Sequence, residues 1–385
     1  MRILSLLVVA SAVSGAPIGC SSPADTSPSS SLPDAAAPVK APELGKGDHS
    51  PTSVTLTEIV VASAGLTAPR DLAFNPLRPD ELWVVNKGDE SALIVHGAGT
   101  QTQTTERRKD SDAAHFMPNP EAIAFGQDET SFGASGTFAT CGESRDTMDD
   151  TQKADDFMGP TLWSSDLSIF AKKNPHNLGS HLDMLHNTPL CMGITHETAN
   201  RYWVFGGLKN SIDLYDFKQD HNIGQDDHSD GESYQYLTGQ VKYVPGIPSH
   251  LVYREADAMV YFSDTGNGRI AKLDSKSGKT GKPVKPKEKM AVSVMMDDAT
   301  VVDVVPASAG LKAPSGIEIY KDSIYVSDNA TSRITAFTLE GEQVNYLDTG
   351  LPAGSLSGMA FGPDGKLYLV DIIGNRVLRI DSNVE

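Results

Sequence analysis

Seven histidines lie between residues 176 and 250, at His176, His181, His186, His196, His221, His228 and His250. Neutral imidazole is a ligand for borderline metals and an acid–base group near neutral pH. His250 is the sharpest candidate. It sits in Pro248-Ser249-His250-Leu251, just ahead of a short apolar run, where comparable segments carry glycine. His186 precedes the turn Asn187-Thr188-Pro189, leading to the same face, and Glu121 or Asp71 could complete an open site there. His250, His186 and Glu121 are therefore expected as ligands for a transition metal such as Zn²⁺. Asp71 is the further ligand or acid–base group, and Arg70 would hold an anionic substrate. The plainer alternative for each histidine is a hydrogen-bonded structural role. A second constellation, Asp220, Asn222, Asp226 and Asp230, alternates hard oxygen donors around glycines, a composition suited to Ca²⁺. It lacks the EF-hand spacing and terminal glutamate, so a solvated acidic loop is the competing expectation.

What positions these residues is a recurring pattern: a turn, a short apolar strand, a gap, then a second strand with an aromatic ending near aspartate. The inner copies are Pro69–Phe74, Pro120–Phe125, Cys191–His196, Pro248–Tyr253, Pro314–Ile319 and Leu356–Phe361. Third strands are clearest at Gly268–Leu273, Ser332–Phe337 and Asn375–Ile380. Six copies predict an all-β six-bladed propeller over residues 54–385, one ring absorbing the whole length. Glu58–Leu66 repeats as Asp303–Leu311. The second copy reads as the outer strand leading into blade five, and the chain ends after the third strand of blade six. The N-terminal copy is therefore expected to complete blade six and close the ring.

In such a blade the start of the inner strand and the end of the second strand share one rim. That rim is expected to carry Arg70, Asp71, Glu121, Met192, Ser249, His250, Ser315 and Ser357. The same registry sets Cys141 beside Cys191. With Cys20 assigned to an anchor, a Cys141–Cys191 disulfide is expected of an exported chain, with free thiols as metal ligands the alternative. An acidic insertion, Gly142–Pro160, belongs to the same rim, as a binding loop or as a solvated one. The basic run Lys276–Lys289 is expected as a flexible loop of blade four.

Pro314–Phe337 and Leu356–Ile380 resemble NHL repeats, and the resemblance covers roughly Thr55 to the C-terminus. It implies a six-bladed ring with function confined to the loops. The peptidyl-hydroxyglycine amidating lyases, which resemble this fold and use channel histidines on zinc, carry a Pro-His-Ser-Leu motif. Here it meets Pro248-Ser249-His250-Leu251, with histidine displaced by one residue, which on a strand turns the side chain to the other face. Lactonase-like propellers bind a divalent ion at inner-strand ends, and Glu121 matches such a position.

The formal net charge of −18 argues against nucleic acid, whose binding is driven by cationic side chains displacing counterions. Met1–Cys20 reads as an export signal: Arg2, an apolar run over Ile3–Val13, then Pro17-Ile18-Gly19-Cys20, similar to a bacterial lipobox with Cys20 lipidated. Residues 21–53, rich in Ser, Pro and Ala, are expected as a disordered tether. The sequence thus predicts an exported, lipid-anchored, monomeric propeller at the cell envelope, touching the membrane only through its anchor. It would bind a protein, peptide or small ligand on one rim, or be a metal-dependent lyase or hydrolase at the channel mouth.

Overall fold

Each short apolar segment forms a strand because β-branched and aromatic residues fit a pleated, half-buried surface, and Gly, Asn or Asp supplies the turn that follows. The structure is a computed structural model, and it describes residues 39–128, 136–146, 153–173, 178–225 and 227–384. The export signal, Cys20 and most of the tether lie outside the described residues. Among the described residues no helix is long and apolar enough to cross a membrane.

Six sheets follow one another around a ring. Blade one contains Pro69–Asn75, Arg78–Asn86, Ser91–His96 and Thr104–Arg108. Blade two contains Pro120–Phe125, Thr137–Gly142, Thr161–Ser164 and His181–Met184, and blade three Cys191–Thr198, Arg201–Gly206, Ser211–Asp216 and Glu232–Tyr236. Blade four runs through Leu251–Arg254, Met259–Asp264 and Arg269–Asp274 to Val301–Val305, and blade five from Pro314–Tyr320 to Gln343–Asp348. Blade six has Leu356–Phe361, Leu367–Asp371 and Arg376–Ser382 from the C-terminal end. Its fourth strand is Val54–Val60, antiparallel to Arg376–Ser382 with Val54 opposite Ser382 and Leu56 opposite Ile380. The expected closure is therefore present, and the ring has no open seam between its first and last blades.

The core lies between blades, where facing sheets interdigitate. Trp83, Trp163, Trp203, Phe138 and Phe205 have no exposed surface, and burying a phenylalanine of this kind contributes roughly 1.5–3 kcal/mol. Close approach near the axis constrains the inner strands. A Cβ on Gly316 would lie 2.3 Å from the Ser357 carbonyl oxygen of the next blade, and one on Gly358 would lie 2.1 Å from Asp71 Oδ1.

Two boundaries differ from expectation. The folded body starts at Val39 rather than residue 54. Leu44, in the short turn Pro42–Leu44, is fully buried against blades five and six, and Asn345 Nδ2 donates to the carbonyls of Ala41 (3.0 Å) and Gly45 (3.2 Å). Tyr325 Oη also donates to Glu43 at 2.7 Å and Ser382 Oγ to the Pro42 carbonyl at 2.5 Å, so a segment whose composition reads as tether is fixed to the ring. The basic run is no loop either. Lys279–Pro283 and Val292–Asp297 form a hairpin that leaves blade four and joins the outer strand of blade three in parallel, Glu232 opposite Val292. Lysines spread along such an edge strand keep it from pairing with another chain.

Candidate functional site

The six inner strands surround a channel of 320 Å³ lined by Asp71, Ile123, Thr195, His250 and Glu318, among others. Asp71 and His250 occupy the same register position in blades one and four, where glycine stands in blades three, five and six, and both line the channel. His250 Nδ1 lies 3.4 Å from Asp71 Oδ2, which also accepts from the Ile123 amide at 3.0 Å. Both side chains are buried, and His250 Nε2 has no hydrogen-bond partner. Deeper in, confinement and the nearby Asp71 charge push the Glu318 carboxyl up to about 8. Some of its surface still meets channel water.

Glu121 and Arg70 are engaged in an ion network instead. Glu121 has no exposed surface, and its two oxygens lie 2.5 Å from Lys87 Nζ and 3.2 Å from Arg70 Nε. Burial pushes its carboxyl up against the pull of Lys87 and Arg70. Lys87 also pairs with Glu143, from the blade-two insertion, which accepts from Tyr243 Oη (2.5 Å) and from the Gly246 amide (2.7 Å). Burial would lower the Lys87 ammonium, but Glu121 and Glu143 outweigh it and raise it. Two cations against two carboxylates balance. This cluster ties blades one, two and three together, and Glu121 is occupied rather than presented to an ion beside His250. Of the insertion's described residues, Glu143 is held in this cluster and Arg145 pairs with Asp156 at 2.7 Å.

A disulfide joins Cys141, at the end of the second strand of blade two, to Cys191, which begins blade three, with Cα atoms 5.4 Å apart. The thiols are accordingly not metal ligands.

His186 lies elsewhere, at the outer edge of the ring where blades two and three meet. The outermost strand of blade two, His181–Met184, faces the connection between the third and fourth strands of blade three, with the Gly224 amide donating to the His181 carbonyl at 2.7 Å. The blade-four hairpin supplies the third side. Glu288 Oε1 accepts from the His186 amide and Oε2 from His186 Nδ1, both at 2.6 Å, and Oε2 lies 3.8 Å from His228 Nε2. One donor atom from each of His186, His228 and Glu288 falls within 4.8 Å of the other two. His228 Nδ1 is held by Asp183 Oδ1 at 2.6 Å, which fixes the ring and turns Nε2 toward Glu288. A carboxylate behind a ligating histidine is the usual support of a metal centre. His186 is 2% exposed, keeps Nε2 buried without a partner, and stacks on Phe157 at 3.8 Å. These groups floor a cavity of 510 Å³ walled by His115, Phe116, Phe157, Leu178 and His181. Burial lowers the His181 imidazole to about 4, so it is neutral at physiological pH.

The described residues of the expected calcium loop lie in the connection between the third and fourth strands of blade three. Asn222 is exposed, Asp226 lies outside the described residues, and Asp230 accepts from His221 Nε2 at 2.7 Å. His186 was singled out from sequence, but its partners His228 and Glu288 were not joined to it. The clue was the density of histidines in this stretch; the missing information was the hairpin, which crosses from one blade to its neighbour.

No family model matches the chain, and no curated protein matches its sequence. Among solved structures it is similar to a virginiamycin B lyase from Staphylococcus aureus, at 11% identity and TM-score 0.48, covering 86% of each chain. It is also similar to an auxiliary nutrient binding protein from Bacteroides thetaiotaomicron, at 12% identity and TM-score 0.49, covering 83% of this chain and 70% of that one. A third is regucalcin, a calcium-binding protein from Agrobacterium tumefaciens, at 12% identity and TM-score 0.49, covering 86% of this chain and 96% of that one. At these identities nothing about ligand or reaction transfers to this chain.

Proposed function

We propose that the protein is an exported ligand-binding propeller whose working site is the cavity between blades two and three, with a divalent transition-metal ion held by His186, His228 and Glu288. The observation that carries this reading is the convergence of two imidazoles and one carboxylate on the floor of a cavity, with Asp183 behind His228. Two neutral histidines and a glutamate suit Zn²⁺, and three protein ligands leave a coordination position open toward the cavity. A small molecule with a donor atom for that position and an apolar or aromatic body for Phe116 and Phe157 fits the walls. An ion here replaces the proton shared by His186 Nδ1 and Glu288. The same open position would let a bound water act in hydrolysis, which turnover assays on activated esters would detect.

The channel mouth supports this reading by contrast: Glu121 and Arg70 neutralise one another there, and His250 is paired with Asp71. Export, anchoring through Cys20 and a monomeric state belong to the same proposal, and globomycin-sensitive processing tests the anchor. Metal analysis of the purified protein, followed by calorimetric titration of chelator-treated protein with Zn²⁺, tests the centre. Binding at this centre is expected to need His186 and His228, each His→Ala variant losing that ion while keeping its far-ultraviolet dichroism. Wild-type protein that takes up no ion would overturn the proposal.

A further inference from the structure

A buried carboxylate oxygen without a donor is costly, so native structures rarely leave one. Asp183 is 1% exposed. Its Oδ1 is fully used, accepting from His228 Nδ1 at 2.6 Å and from the Met184 amide at 2.7 Å. Its Oδ2 is buried and has no hydrogen-bond partner. Near Asp183, from the blade-three connection, are His221 and Asp230, joined Nε2 to Oδ1 at 2.7 Å, with Asp230 Oδ2 accepting a long bond from the Gln219 amide at 3.3 Å. One donor atom from each of Asp183, His221 and Asp230 lies within 4.8 Å of the other two.

We infer that Asp183, His221 and Asp230 form a second cation site, distinct from the His186–His228–Glu288 centre, for a divalent ion of borderline hardness such as Zn²⁺, Co²⁺ or Mn²⁺. Three observations converge on it. The orphaned Asp183 oxygen needs a positive partner, and His228, its only side-chain partner, is engaged on the other oxygen. Two carboxylates crowd one imidazole, an excess of negative charge that a dication offsets. Finally, the ligand set spans two blades, Asp183 from the outer strand of blade two and the others from blade three, so an ion bound here fastens the blades at their perimeter. An imidazole among only three protein donors distinguishes the site from the oxygen-rich shell of Ca²⁺. Asp230 is shared with the calcium loop expected from sequence, and its partners here come from the histidines and from the neighbouring blade.

Asp183 makes the two sites neighbours with a shared part. Oδ1 sets the orientation of His228 for the first ion, while Oδ2 ligates the second. Loss of such a supporting carboxylate costs roughly 10–100-fold in metal affinity. Asp183→Ala is therefore expected to remove the second ion and to weaken the first by that factor.

The test is titration of the chelator-treated, folded protein with Co²⁺, following both calorimetric stoichiometry and the visible ligand-field spectrum. Two equivalents are expected. His221→Ala and the isosteric Asp230→Asn should each remove one equivalent and leave the other, whereas His186→Ala should remove the complementary one. A single equivalent that disappears with His186→Ala and is indifferent to both His221→Ala and Asp230→Asn would sink the second site and leave the first standing. A single equivalent with the reverse dependence would keep the second site and sink the first. No uptake at all would overturn both.

Discussion

Glu121 is held between Lys87 and Arg70 with no surface of its own. Removing one partner of a buried charge cluster costs about 3–5 kcal/mol, because the remaining charges stay buried and unpaired. Glu121→Ala is therefore expected to lower unfolding free energy by about that amount, measured by urea denaturation. If Glu121 instead served an ion at the channel mouth, the variant would lose metal and keep its stability. Glu318 behaves oppositely. Its carboxyl, pushed up to about 8 from an ordinary 4.5, binds a proton more tightly in the folded chain than in the unfolded one. Between those values the native state carries the extra proton, so stability falls as pH rises from about 4.5 to about 8. Glu318→Gln is expected to flatten that slope in thermal melts across the range. Contact with channel water keeps the effect below that of a dry carboxylate. At this scale the sequence showed which residue types were in surplus but not which would meet. His250 and Asp71 do meet, because both interrupt a register of small residues at one position of the repeat. His186, His228 and Glu288 meet through a crossing that no repeat encodes.

Among the elements, the hairpin Lys279–Asp297 decides the character of the perimeter site, since it alone brings Glu288. It is an outer addition to blade three, paired on one side only, and most of its residues keep some exposure. Ion binding at His186 and His228 should pin it, so its amides are expected to exchange more slowly with Zn²⁺ than without, by hydrogen-exchange mass spectrometry; exchange unchanged by the ion would separate Glu288 from the centre. The Cys141–Cys191 bridge closes a loop between positions 50 apart and, on a chain-entropy account, is worth about 4 kcal/mol. The Cys141→Ala, Cys191→Ala double variant should lose most of that in the same denaturation assay. The cysteine pairing was legible because the blade registry placed both residues on one rim. The hairpin was not, since six lysines among glycines and prolines have the composition of a loop, and only the free edge of blade three makes them strands.

For the whole molecule, blade count and strand order followed from six copies of the inner-strand pattern and the closing strand from a repeated nine-residue segment, because a ring imposes the same local rules on every blade. What the repeats left open was where the ring begins: Leu44 and Asn345 extend it to residue 39. Removal of residues 1–38 is expected to leave the folded body intact. Removal of residues 1–61 should abolish the single cooperative melt by exposing the edge of Arg376–Ser382. A melt unchanged by the longer deletion would mean that closure contributes nothing to stability.

That closing pair also sets an order in time. Thr57 donates to Asp381 at 2.5 Å across 324 residues of chain. A ribosome or an export channel delivers Val54–Val60 before the strands of every other blade and its partner after them. The strand must wait, its edge unpaired, while five other blades emerge and fold beside it. Contacts this distant in sequence form slowly, and an unpaired edge invites association in the interval. The polar residues Thr55, Thr57 and Glu58 along it, set between Leu56 and Ile59, then serve a second purpose besides their pairing with blade six. They keep the waiting strand in solution until the last strand arrives.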